Sequence, residues 1–392
     1  MSTDVPAREE LVRRASELVP VLQKNAAWSE ENRRIHEDSI EALAEAGMFK
    51  LRVPKRYGGY EADTRTLVDI ASELGRADGS TSWVTSVYWI PTWMTCLFPD
   101  HVQDEVFSTP DVRVCGTLSP SAMAAPTEGG MIVNGKWGFI SGAHHAHWQE
   151  IIAILVPPDS EPYPVMALVP IDEMLIVDDW HTSGLKGTGS VSTVAKDLFV
   201  PQDRIVPLPA VLQGQSASVL NAESPIYRPP LLPVASASSV GTVIGMARAA
   251  KDLFFKRLPD RKITYTAYAS QNEAPLTHLQ AAEGTMKVDQ AEFHAHRLSS
   301  LVDSKGIDGT AWKLEERAQA RADLGAVVRL AKEAVDIFAS ASGGSSIYTD
   351  VPIQRFQRDV NAVNLHALMH PNTNAELYGR VLCGLEPNTL YI

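Results

Sequence analysis

Ile132-Val-Asn-Gly-Lys-Trp-Gly-Phe-Ile-Ser-Gly142 is followed by Trp180-His-Thr-Ser-Gly-Leu-Lys-Gly-Thr-Gly-Ser190 and Asp197-Leu-Phe-Val-Pro201. These segments are short β-runs broken by glycine. The Asn134-Gly135 pair, flanked by Met131-Ile-Val133 and Lys136-Trp-Gly-Phe-Ile140, predicts a two-residue hairpin. Ser141 directly follows Phe139-Ile140, so one strand end presents a ring face and a hydroxyl together, as a planar cofactor requires. That combination points to redox chemistry.

Working outward, residues 1–111 read as helical. Leu67, Ile70, Ala71 and Leu74 fall at i, i+3, i+4 and i+7 behind the caps Asp63 and Thr64. Val53-Pro-Lys-Arg-Tyr-Gly-Gly59 reads as a turn. After Val112 come strands, with further ones expected at 151–156, 165–169 and 191–200. The loop Ser224-Pro-Ile-Tyr-Arg-Pro-Pro230 ends that region, and helical patterns follow at about 232–257, 275–303, 312–342 and 353–370. Leu324, Val327, Val328 and Ala331 share one helix face. The expected architecture is α+β, mostly helical: an N-terminal helical domain (1–111), a central β-barrel or sandwich (112–222) and a C-terminal four-helix bundle (223–392).

The net charge of −12 argues against nucleic acid, since phosphate binding needs clustered Lys and Arg. Cys96, Cys115 and Cys383 are scattered and fit no metal spacing, which points to a reducing cytoplasm. Met1-Ser-Thr-Asp-Val-Pro carries no apolar run of the secretory kind. Residues 231–250 come nearest to a membrane span, but their serines, proline and glycines predict a buried helix instead. No membrane or nucleic-acid partner is expected.

The order of these parts, with Glu45-Ala-Gly-Met-Phe49, Val53–Gly59, Phe139-Ile-Ser-Gly142, Asp197–Pro201 and Gln354-Arg-Phe-Gln-Arg-Asp359, resembles the acyl-CoA dehydrogenase fold over essentially the whole chain. Within that fold it is most similar to flavin-dependent monooxygenases that take reduced flavin (FMN or FAD) from a separate reductase. The residues carrying this are Ser82-Trp-Val84, Gly135-Lys-Trp137, Ser141-Gly-Ala-His-His145, Gly184–Ser190 and Gly343-Gly-Ser-Ser346. The resemblance implies a homotetramer with flavin between the β-domain and the C-terminal helices. It also implies oxygen and a small aromatic, polyketide-type or amine-bearing metabolite as reactants, through a C(4a)-hydroperoxyflavin. Dehydrogenases of the common type place a catalytic glutamate shortly after the late Arg-Asp. Here Arg358-Asp359 is followed by Val-Asn-Ala-Val-Asn-Leu-His-Ala-Leu-Met-His370, with no carboxylate. The pyrophosphate-binding Arg-x-x-Phe-Gly is also missing, as Arg261 precedes Lys-Ile-Thr-Tyr. A dehydrogenase with a displaced base and a silent flavin-binding paralogue are the rival readings.

The resemblance puts Ser141 at flavin N(5), where a hydroxyl retains the N(5) proton and so delays collapse to peroxide. Trp83, Thr117, Ser119, Trp137, Phe139 and Gly142 are expected around the ring, Trp137 and Phe139 from one strand face. Core packing explains Trp137 almost as well. Thr188, Gly189 and Ser190 offer backbone N–H groups and hydroxyls for a phosphate or the pyrimidine edge, or else form a tight turn. Gly343, Gly344 and Ser345 are further expected cofactor contacts. His366 and His370, at i and i+4 on a helix, are expected catalytic acid–base groups, with structural packing as the alternative. Zinc is disfavoured because Ala367 replaces the glutamate of H-E-x-x-H and no third ligand is evident. His144, His145 and His147 read as packed or solvated loop histidines, and His294 and His296 point to different sides of a helix. Phenol-hydroxylating relatives carry a histidine about eight residues after the Ser-Trp-Val tryptophan; that register here gives Pro91.

Overall fold

The computed structural model describes residues 5–392. The N-terminal helices are α1 (Arg8–Asn32), α2 (Glu37–Glu45), α3 (Thr64–Ala77), α4 (Gly79–Thr95) and α5 (Asp100–Val106). Asp63 caps α3 through the Thr66 amide and Asp78 caps α4 through the Thr81 amide, each satisfying a helix N–H that the ladder leaves free. The predicted turn at 53–59 is a 3-10 segment, Lys55–Tyr57, closed by Gly58 at φ +79°.

The strands are β1 (Val114–Thr127), β2 (Gly130–Ile140), β3 (Trp148–Leu155), β4 (Tyr163–Pro170), β5 (Leu175–Val177), β6 (Val191–Pro201) and β7 (Ile205–Pro207). They form one seven-stranded sheet in the order β5-β6-β2-β1-β3-β4-β7, antiparallel except where β1 meets β3. The sheet curls so that β4 and β6 approach across a core that includes Trp137, Ile151, Ala167 and Ala195.

The hairpin lies elsewhere than the sequence predicts. Thr127 pairs with Gly130, so Glu128-Gly129 is the two-residue turn, with Gly129 at φ +77°. Asn134 and Gly135 sit inside β2 at a register shift against β6. The Asn134 side chain exchanges two hydrogen bonds with Asp197, itself at φ +49°, which fixes a bulge. Gly135 stays bare because a Cβ there would come within 2.3 Å of Ala122 Cβ.

After the short α6 (Leu208–Leu212) come α7 (Leu231–Arg257), α8 (Pro275–Asp308), α9 (Leu314–Ala341), α10 (Ile353–Asn364) and α11 (Pro371–Leu382). The apolar α7 is a core helix, packed on α3, α4, α8, α9 and α10. Added Cβ atoms at Gly241 and Gly245 would lie 2.3 and 2.2 Å from α3 carbonyls, so the two backbones touch. The helix expected over 353–370 ends at Asn364; a turn carries His366, and His370 occupies the N-cap position of α11. The two histidines are therefore not successive turns of one helix.

Candidate functional site

A cavity of about 410 Å³ opens between α4, the β1–β2 side of the sheet, α7 and the α10–α11 turn. Its lining is mainly apolar. Among the expected site residues, Trp83, Thr117, Ser119, Phe139, Ser141 and His366 border it. A second, strongly charged cleft near Glu30, Lys186 and Arg358 holds none of them.

Phe139 and Trp137 do not share a face. The β2–β6 register shifts between Trp137 and Ile140, and Phe139 adopts φ +62°. Trp137 is fully buried and donates its indole N–H to the Ile152 carbonyl at 2.9 Å, so it is core. The Phe139 ring turns outward, 73% exposed, edge-on to Trp180 at 5.8 Å. A bulky residue in the left-handed region costs about 1–2 kcal/mol, which the sheet sustains while holding that ring at the cavity mouth.

Behind Ser141 lies a chain of hydroxyls with one polarity. Thr188 donates to the Leu185 carbonyl (2.8 Å), so its oxygen accepts from Ser190 (2.6 Å). Ser190 accepts from Ser141 (2.7 Å), and Ser141 accepts the Trp83 indole N–H (3.2 Å). A hydroxyl has one proton and two lone pairs. Ser141 has thus spent its proton and keeps one acceptor site toward the cavity. Of the backbone amides expected to meet a phosphate or the pyrimidine edge, those of Thr188 and Gly189 close a 3-10 turn on Leu185 and Lys186. Gly142, at φ +74°, leaves room for Tyr88, whose hydroxyl donates to the Gly142 carbonyl at 2.6 Å.

The turn that carries Leu185 is pinned from below. Asp359 accepts the Leu185 amide at 2.6 Å, its other oxygen buried without a partner. Burial, and then the neighbouring Asp78, push its carboxyl up to about 7.

His366 stacks edge-on with Trp83 at 5.2 Å, and its Nδ1 accepts the Leu368 amide at 3.3 Å, which leaves the proton on Nε2. The residue is exposed, and it borders the cavity. Desolvation lowers its pKa to about 4, so it is a neutral N–H donor at pH 7. His370 does not border the cavity. Two of the loop histidines are structural, His145 bonding the Ile35 carbonyl and His147 accepting the Arg113 amide, while His144 is exposed. His294 and His296 pair separately with Asp323 and Asp69. Among the described residues no group of three or more His, Cys, Asp or Glu could hold a metal ion.

Gly343, Gly344 and Ser345 lie past the end of α9, away from this cavity. Ser345 accepts from both Arg257 (3.1 Å) and Arg261 (2.6 Å), and Arg257 Nη1 is buried without a partner. Two guanidinium groups converging on one hydroxyl suit an anion.

Sequence reasoning missed Glu150 and Tyr391, both on the cavity wall. Glu150 hid inside the apolar run of β3, where a carboxylate among Ile and Ala was the available signal. Tyr391 lies far along the chain and reaches the site only because the C-terminal segment returns to donate to the Leu118 carbonyl.

The ring, acceptor and apolar walls fit a flat cofactor with an N–H edge. Residues 8–103 match the family described as acyl-CoA dehydrogenase, N-terminal domain, and residues 237–371 the acyl-CoA dehydrogenase C-terminal domain. The chain is 32% identical over 379 residues to a pigment production hydroxylase of Rhodococcus sp., spanning 95% of this chain and 96% of that one. It is 31% identical to the oxygenase component of an FADH2-dependent resorcinol hydroxylase of Rhizobium sp., over 97% and 96% of the two chains. The structure of XiaF from Streptomyces sp. in complex with FADH2 and glycerol superposes with a TM-score of 0.91 at 29% identity, covering 97% of each chain. The chain belongs to the acyl-CoA dehydrogenase-fold family of flavin-dependent monooxygenases, as an oxygenase component that uses reduced flavin.

Proposed function

We propose that this protein hydroxylates a small aromatic metabolite in the cytoplasm, with reduced flavin delivered by a separate reductase. The polarised hydroxyl chain ending at Ser141 carries this reading. Bound reduced flavin supplies two electrons and activates oxygen. Ser141, its own proton committed to Ser190, accepts the N(5)–H hydrogen bond and holds that proton in place. Phe139 covers the ring, and Trp83 keeps Ser141 oriented while walling out water.

His366 is the proposed acid, donating from Nε2 to an oxygen in the cavity; His370 takes a packing role. Thr117 and Ser119 supply further polar contacts from β1. Arg257 and Arg261, gathered on Ser345 beside Gly343 and Gly344 and away from this chain's own cavity, are proposed to take the phosphate of the flavin held by a neighbouring protomer. A homotetramer is supported by the outer face of α8, where Leu276, Leu279, Met286 and Phe293 recur at helical spacing and are each more than half exposed. Apolar stripes of this kind mark association surfaces.

The test supplies reduced FMN or FAD from an unrelated reductase with isotopically labelled oxygen gas and a panel of hydroxyaromatic and indolic compounds. Label in a hydroxylated product supports the reading. Peroxide alone with every compound, or anaerobic reduction of bound flavin by an acyl-CoA, refutes it.

A further inference from the structure

Among the described residues Glu150 is the one carboxyl group bordering the cavity, and none of them provides it with a partner. It lies in β3 beside Gly116 of β1 and Leu168 of β4, on the sheet face turned toward α4. The residue is 1% exposed, and neither carboxyl oxygen has a hydrogen-bond partner. No Lys or Arg is among the cavity's lining residues. A buried carboxyl without a partner is a large standing cost, and desolvation alone drives its pKa well above the usual carboxylate range. Gly116 is bare beside it because the strands approach closely there: a Cβ on Gly116 would come within 2.9 Å of the Glu150 carbonyl oxygen, 3.0 Å of Glu150 Cβ and 3.5 Å of Pro91. Val87, Ile90, Met94 and Leu232 supply an apolar wall that accepts a ring, while Thr117, Ser119 and His366 also border the cavity as neutral polar groups.

We infer that Glu150 is the substrate-selecting group of this cavity, accepting a hydrogen bond from a hydroxyl or N–H borne by an aromatic ring. It rests on the aromatic-hydroxylase reading for its substrate class. The ring packs on the apolar wall, and its donor provides the partner that the fold withholds from the carboxyl. A ring without a donor leaves that group as unsatisfied as before, so selection acts mainly against such compounds.

The test is calorimetric titration of the FMN-loaded protein with two matched pairs: 2-naphthol against 2-methoxynaphthalene for a ring hydroxyl, and indole against 1-methylindole for a ring N–H. The wild type is expected to prefer the donor-bearing member of at least one pair by tenfold or more, and that pair identifies the donor. Glu150→Leu abolishes the preference while still binding the methylated compound. Glu150→Gln, which preserves size and one acceptor, retains a preference reduced at least threefold, and it decides the matter if the leucine variant does not fold. Absence of preference in the wild type for both pairs, or an undiminished preference in either folded variant, overturns the inference and leaves Glu150 as a carboxyl served by ordered water. The flavin-free protein is titrated alongside. Failure of the flavin reading then shows as loss of FMN binding, with the aromatic preference still measurable.

Discussion

Ser141→Ala is the sharpest perturbation, because one oxygen atom sits between a fixed donor and a fixed acceptor. Removing it deprives the Trp83 indole N–H and the Ser190 hydroxyl of their bonds at 3.2 and 2.7 Å, and removes the acceptor proposed for flavin N(5)–H. A lost partner for a buried polar group costs about 1–3 kcal/mol, or roughly 5- to 150-fold in a rate. If the bond to N(5)–H contributes in that range, the ratio of hydroxylated product to hydrogen peroxide falls by the same factor. Flavin affinity changes little, because ring contacts such as Phe139 persist. Ser190→Ala separates chemistry from packing. It leaves Ser141 and its Trp83 donor in place but frees the Ser141 proton, so a smaller loss of coupling is expected. Product and peroxide quantified per reduced flavin consumed, in all three proteins, decide the point. Unchanged coupling in Ser141→Ala, with flavin bound and the fold intact, refutes the argument.

Trp137→Phe removes the indole N–H that serves the buried Ile152 carbonyl and should cost about 1–3 kcal/mol of stability in denaturant titrations, with flavin affinity unchanged. Phe139→Gly relieves a left-handed backbone while removing the ring; it should gain stability yet bind flavin roughly 2- to 13-fold more weakly, on about 0.5–1.5 kcal/mol for a lost aromatic contact, as measured by fluorescence titration. His366→Ala should lower product formed per flavin oxidised, whereas His370→Ala should not. Because desolvation lowers the His366 pKa to about 4 from 6.5, the unfolded chain binds the extra proton between those values; this histidine's contribution to stability, full above pH 6.5 and lost as pH falls toward 4, is kept small by the residue's exposure to solvent. Asp359 has the opposite sign: with its carboxyl raised from 3.8 to about 7, its contribution is present below pH 3.8 and fades as pH rises through 7. Asp359→Asn should remove that part of the slope in stability measured from pH 5 to 8.

The helices were legible because their signals are local. The cap at Asp63 and the apolar stripes of α3 and α9 lie within a few residues of what they control. The sheet was less legible, since Asn134-Gly135 has the chemistry of a turn and only its pairing with Asp197, far along the chain, makes it a bulge. The same cause hid the divergence of Trp137 and Phe139: period-2 alternation holds until a register shift intervenes, and the shift belongs to two strands at once. Ser141 could be placed from its neighbours in sequence. The polarity of its hydroxyl could not, because that depends on Trp83, Ser190, Thr188 and Leu185 converging from separate segments. His366 and His370 were misjudged as a helical pair because an i, i+4 spacing does not reveal that the helix stops at Asn364. Glu150 was overlooked for a related reason: a lone carboxylate in an apolar strand acquires meaning only from what does not stand beside it.

The burial of α7 also bears on how the chain comes to be folded. Over residues 231–260 its mean hydropathy reaches 1.2 in a window that is 94% buried, so outside the finished structure it has the composition of a bilayer segment. Two of its partners, α3 and α4, are synthesised well before it, but α9 begins only at Leu314. A growing chain therefore carries a half-covered greasy helix for the time needed to add α8 and α9. Truncation between α7 and α9 should leave that helix sticky and chaperone-bound, whatever the state of the catalytic cavity.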